Sequence, residues 1–154
     1  MNDKKEAKDW YIAASHFLTA GFVVPFILGF VLRFLALAVI GEHNQLTWNI
    51  IISIIWILSI GLGVIYSSRY VNKKYIIRSE NIAKLATIYF VILVGGYRLF
   101  QALQRMTEGL TISRANQIIE GVTFLIGAVI FYQLSEKYIK DNEIKQNSKA
   151  NNVN

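Results

Sequence analysis

Three ionisable residues, Arg33, Arg98 and Glu120, interrupt stretches of this chain that are otherwise apolar. A charge at the centre of a membrane helix costs about 2.5–3.5 kcal/mol on insertion scales, so such residues face a bundle interior or a water-filled cavity. Helical spacing groups further polar residues with them. Arg98, Gln101, Arg105 and Glu108 recur at i, i+3, i+7 and i+10 and share one helix face. Gln117, Glu120, Thr123 and Gly127 share another, and Asn49, Ser53 and Trp56 continue the pattern on a third helix.

A pocket built from Arg33, Arg98, Gln101, Arg105, Gln117 and Glu120 would hold more guanidinium groups than carboxylates and would favour an anion. Arginine suits a carboxylate or phosphate because its planar fork donates two parallel hydrogen bonds. Inorganic anions, organic acids and lipid phosphates all offer that acceptor geometry. The competing reading is structural. Glu120 would pair with Arg98 or Arg33 to specify helix packing, while the other arginine reaches the headgroups along its aliphatic stem.

Enzyme chemistry finds little support. There is no cysteine, which removes disulfides, thiolate nucleophiles and thiolate metal sites. Aspartate occurs only at Asp3, Asp9 and Asp141, outside every apolar run, so no intramembrane triad or carboxylate pair can be assembled. The one remaining route would hold a lipid phosphate on Arg33 and Arg98 with Glu120 as base. Gly61, Gly63, Gly95 and Gly96 lie within apolar runs and read as helix-packing glycines rather than a phosphate-cradling loop; Gly29, Gly95 and Gly127 would let helices approach closely around the pocket. His16 reads as an interfacial residue and His43, beside Glu42, as a loop residue on the opposite side. The two cannot share a metal or a haem, and no cofactor is expected.

These residues must be positioned by membrane helices. The chain has 154 residues, is 54% hydrophobic, and has a mean hydropathy of +0.39. Its apolar runs exceed the roughly 10–14 residues of a buried soluble helix. They predict an all-α, integral membrane four-helix bundle with spans at about 16–40, 48–66, 85–103 and 118–134. Residues 1–140 form the membrane domain, and 141–154 a polar cytoplasmic tail, disordered or loosely held at the surface. Pro25 should kink the first span, with Trp10 and Tyr11 at its interfacial end. A cleavable signal peptide ending near Ala36-Leu37-Ala38 is the competing reading. The apolar region is long for a signal and Arg33 interrupts its end, which favours a retained span. An ungapped offset of 65 superposes Arg33 on Arg98 and Val64-Ile65 on Val129-Ile130, the mark of a weak tandem hairpin repeat.

Orientation follows from Lys and Arg in the loops. Arg69, Lys73, Lys74, Arg78 and Lys84 crowd the second connection, which is therefore inside. The first connection carries only Glu42 among fixed charges, and the third carries Arg105 and Arg114 with Glu108, so both lie outside. Both termini are then cytoplasmic. The net charge of +6 sits beside the apolar runs, where it meets anionic lipid rather than nucleic acid, and the second connection with Tyr70 and Tyr75 could also dock a partner.

The expected function is non-enzymatic: binding or conducting a small anion or lipid headgroup through an outward-facing Arg/Glu pocket, in the plasma membrane, with membrane lipids as partners and homo-oligomerisation open. The alternative is an accessory or assembly subunit of a larger membrane complex. Because the chain lacks cysteine, single cysteines report topology directly. Lys4→Cys and Ser79→Cys should react with an impermeant maleimide only after the cells are opened, and Ser113→Cys in intact cells; the reverse pattern would invert the orientation.

Overall fold

The computed structural model describes residues 4–41, 44–77, 79, 81–107 and 113–151, and among these residues it is helical with no strand. Helix α1 (Asp9–Val39), α2 (Gln45–Lys74), α3 (Asn81–Arg105) and the Arg114–Ile139 part of α4 (Arg114–Asn151) are each long and apolar enough to cross a membrane. The sequence-expected spans lie inside them. The helices run further because, once the apolar stretch has nucleated a helix, each added residue gains a hydrogen bond, even where it is polar. The 30 residues of α2 extend about 45 Å against a hydrocarbon core of about 30 Å, so it must tilt or protrude.

By the same propagation α4 continues as helix to Asn151, into the expected polar tail. Glu42, His43, Arg78, Glu80 and Glu108 lie outside the described residues, and with them the reading of His43 as a loop residue. Gly41, at φ 75° and ψ −166°, takes an extended positive-φ backbone conformation open to glycine that ends α1, and the Asn44 side chain accepts from Thr47 N–H at 2.9 Å to open α2.

Two helices contain a π turn. Leu18–Val23 is π-helical immediately before Pro25, and Val91–Gly95 precedes Gly96. Proline has no N–H for the carbonyl four residues back, and its ring crowds that carbonyl. A widened turn relieves the crowding, so the irregularity expected at Pro25 takes the form of a π turn on its N-terminal side.

The helices are not packed evenly along their length. α2 packs most extensively on α4; the first half of α1 packs on the first half of α3, the second half of α1 on α2, and the first half of α3 on α4. Buried residues accordingly gather at one end: Ile12, Ala13, Phe17 and Ala20 of α1, Ile60, Val64 and Val71 of α2, Ile82, Ala83, Ala86 and Phe90 of α3, and Phe131 and Ile139 of α4. The N-terminal segment joins this closed end. Lys5 N–H donates to Lys74 O at 2.9 Å and Ile76 N–H to Lys5 O at 3.2 Å, which puts the basic residues Lys4, Lys5, Lys8, Lys73 and Lys74 side by side.

His16 is the main departure from the sequence reading. It is fully buried rather than interfacial, and it joins three helices. Its Nδ1 lies 3.0 Å from Ser67 Oγ on α2, and its Nε2 lies 2.9 Å from Ser135 Oγ on α4. Ser67 donates its single hydroxyl proton to the His16 carbonyl at 3.1 Å, so towards the ring it accepts, and Nδ1 carries the proton. In the neutral ring Nε2 then accepts from Ser135. Nearby, Asn72 Nδ2 donates to the main-chain carbonyl of Tyr138 at 3.3 Å.

Among the described glycines, Gly63 is the one that meets the backbone of another helix, where an added Cβ would come 2.6 Å from the main-chain oxygen of Ala20. Gly29 has nothing within 4 Å of such a Cβ, and Gly95 and Gly127 receive the rings of Phe124 and Trp56 rather than a neighbouring backbone. Close approach therefore occurs at the closed end, and the glycines expected around the pocket serve as ring seats or open space. Gly63→Ala should cost about 1–3 kcal/mol through forced helix separation. Thermal unfolding in detergent should show it, whereas Gly29→Ala should leave the transition within error or raise it.

Candidate functional site

At the other end the bundle opens. Between the helices lies a cleft of about 830 Å³, within the range of about 300–1,000 Å³ usual for ligand sites. All four helices contribute to its wall. Arg33, Arg98, Gln101, Arg105 and Glu120 all line it; Gln117 does not and is exposed elsewhere on α4.

The π turn in α3 aims the arginines. Along α3 the core face runs through Ile82, Ala86 and Phe90. Regular turns of about 3.6 residues counted on from Phe90 reach Tyr97 and Gln104. A π turn inserts one extra residue, which advances the face to Arg98 and Arg105. The helix thus turns its polar face onto the cleft and leaves Leu99, Phe100 and Leu103 on the outside, each more than half exposed.

Glu120 pairs with Arg105, not with Arg98 or Arg33. Arg105 Nη1 lies 3.3 Å from both carboxylate oxygens, with both side chains substantially exposed. Arg98 instead donates from Nη1 to the main-chain carbonyl of Glu120 at 3.1 Å, and its guanidinium carbon lies 4.6 Å from the ring centroid of Trp56. Stacking on an indole face holds the plane of the guanidinium while leaving donors on its edge. Trp56 is in turn seated on Gly127, where a Cβ would meet its ring at 2.5 Å. Arg33, on α1, makes no hydrogen bond or ion pair with the described residues. The lining therefore carries three guanidinium groups and one carboxylate, and two of the three arginines have no carboxylate partner among the described residues.

The opposite end of the cleft is apolar and aromatic. Phe17, Phe22 and Phe26 of α1 line it, with the rings of Phe22 and Phe26 stacked at 6.4 Å and 12° and Phe30 continuing the row towards Arg33. The repeat of phenylalanine at every fourth position from Phe22 to Phe34 is visible in the sequence and is the signal that marks this face. Beyond it the Phe90 and Phe131 rings stack at 4.7 Å and separate the cleft from the His16 cluster. Among the described residues there is no group of three His, Asp or Glu side chains able to hold a metal ion. No family model, curated protein or solved structure matches this chain.

The Arg105–Glu120 pair is open to solvent at the cleft mouth, and exposed pairs contribute at most about 1 kcal/mol. A double-mutant cycle with Arg105→Gln and Glu120→Gln, read by thermal unfolding, should give a coupling energy below about 1 kcal/mol. A coupling of several kcal/mol would return the pair to a structural role.

Proposed function

We propose that this is a non-enzymatic multi-pass protein of the plasma membrane, with its closed, basic end and both termini in the cytoplasm. In this reading it binds an anion in the cleft that opens on the other side. One observation carries the reading: three guanidinium groups face one cleft that holds a single carboxylate, and that carboxylate is engaged by Arg105. Such a site has an excess of positive potential and free donor edges. A phosphate or carboxylate fits both, through paired charge-assisted hydrogen bonds.

The geometry favours binding over conduction. An ion path would have to continue past Trp56, Phe90 and Phe131, and the stacked rings of the last two leave Phe90 and Phe131 fully buried. Below them the His16 ring and its serine partners are closed off by their own hydrogen bonds. An accessory role in a larger complex is the second reading, supported by the second half of α1, where Phe26 and Phe30 are 70% and 71% exposed. Lipid or a partner chain could cover that face. Intact-assembly mass spectrometry separates the two, because an accessory subunit is recovered with other subunits at fixed stoichiometry.

Arg98→Gln leaves a shorter, uncharged polar side chain and removes the charge, the guanidinium fork and its stacking on Trp56. It should weaken binding of inorganic phosphate or sn-glycerol 3-phosphate about tenfold or more, since a hydrogen bond to a charged group contributes about 1.5–3 kcal/mol. Protein level and thermal unfolding should stay near those of the parent. Unchanged affinity, or no measurable affinity in the parent, would overturn the reading.

A further inference from the structure

The shape of the cleft, together with the anion-binding reading on which this step rests, narrows the occupant. On α1 the lining extends from Phe17 to Arg33, about 24 Å along the helix axis. Its polarity is graded. Arg33, Arg98, Arg105, Gln101 and Glu120 gather towards the mouth, and Phe22 and Phe26 lie deeper with Leu18 and Gly21. A small hydrophilic anion would use only the mouth and would leave an apolar slot beneath it.

The cleft is also open sideways. The second half of α1 packs on α2, and the second half of α3 is tied to α4 through Arg98 and Arg105. α1 and α3 pack closely only along their first halves, so they part above Phe17 and Tyr89, whose rings are 6.4 Å apart. In a bilayer such a gap faces the acyl chains of the leaflet at the open end, not water. An occupant arriving through it must be a membrane component.

We infer that the cleft takes an anionic phospholipid from that leaflet, entering between α1 and α3, with its phosphate on Arg33, Arg98 and Arg105 and one acyl chain laid along Phe22 and Phe26. Charge complementarity selects the headgroup, and the graded wall orients the molecule with its chain pointing towards the closed end. Gly29 lines the slot with nothing within 4 Å of an added Cβ. A larger side chain there would start in open space and project into the slot.

Trp56 lies in the cleft wall beneath Arg98 and reports occupancy. With Trp10→Phe and Trp48→Phe it becomes the sole tryptophan of the three in the chain. The protein is placed in phosphatidylcholine nanodiscs containing a minor fraction of chain-brominated phosphatidylglycerol or, separately, of chain-brominated phosphatidylcholine. The brominated anionic lipid should quench Trp56 more strongly than the zwitterionic one at equal fraction. Both Arg98→Gln and Gly29→Phe should lose this excess, and Gly29→Phe should still bind inorganic phosphate.

Equal quenching by the two lipids with phosphate binding intact would overturn the lipid assignment and leave the anion site standing. Equal quenching without phosphate binding would remove both. Excess quenching that survives either substitution would overturn the placement of the headgroup or the chain. If Gly29→Phe lost phosphate as well, with its thermal unfolding unchanged, the division of the cleft into head and chain regions would fall.

Discussion

A polar group surrounded by hydrocarbon must find a hydrogen-bonding partner within the protein or reach water, because leaving it unsatisfied costs several kcal/mol. His16 and the cleft arginines meet that requirement in opposite ways at the two ends of the bundle. At the closed end His16 is enclosed by hydroxyls from two other helices, and its own carbonyl takes up the Ser67 proton, so ring and main chain are satisfied together. Because the partners come from α2 and α4, the bonds also set the depth at which three helices meet. At the open end the guanidinium groups are satisfied only in part, and the helices separate instead of burying them.

The separation has a mechanical origin in the backbone. Gly63 lets α2 come against the main chain of Ala20, within the π turn of α1, and Pro25 follows directly. Tight packing below and an irregular turn above allow the second half of α1 to leave α3 while remaining on α2. The π turn of α3 complements this by rotating a polar face into the space that opens. Without the extra residue the core face of α3 would lead to Tyr97 and Gln104 rather than to Arg98 and Arg105.

The ring stack of Trp56, Phe90, Phe124 and Phe131 forms the boundary between the two regimes. It keeps water from the His16 cluster and gives Arg98 a surface to rest on through Trp56. A charge held over an aromatic face at the mouth of a half-apolar cleft would suit the proposed anion with its own hydrocarbon. It is poorly suited to passing a hydrated ion onward.

The sequence by itself determined the number and approximate limits of the helices, because runs of apolar residues longer than a soluble helix needs are a local property that hydrocarbon enforces one segment at a time. It also singled out Arg33, Arg98, Arg105 and Glu120, since an ionisable residue in such a run is conspicuous whatever surrounds it. Partnership was decided only in three dimensions. Glu120 could be assigned to either intramembrane arginine from spacing, and only the packing of α3 against α4 gives its carboxylate to Arg105 and leaves Gln117 outside the cleft. His16 at the edge of an apolar run is indistinguishable from an interfacial histidine until Ser67 and Ser135, 51 and 119 residues away, are brought beside it. Periodicity within one helix carries no information about which neighbour stands opposite, and that is why the elements were legible and their contacts were not.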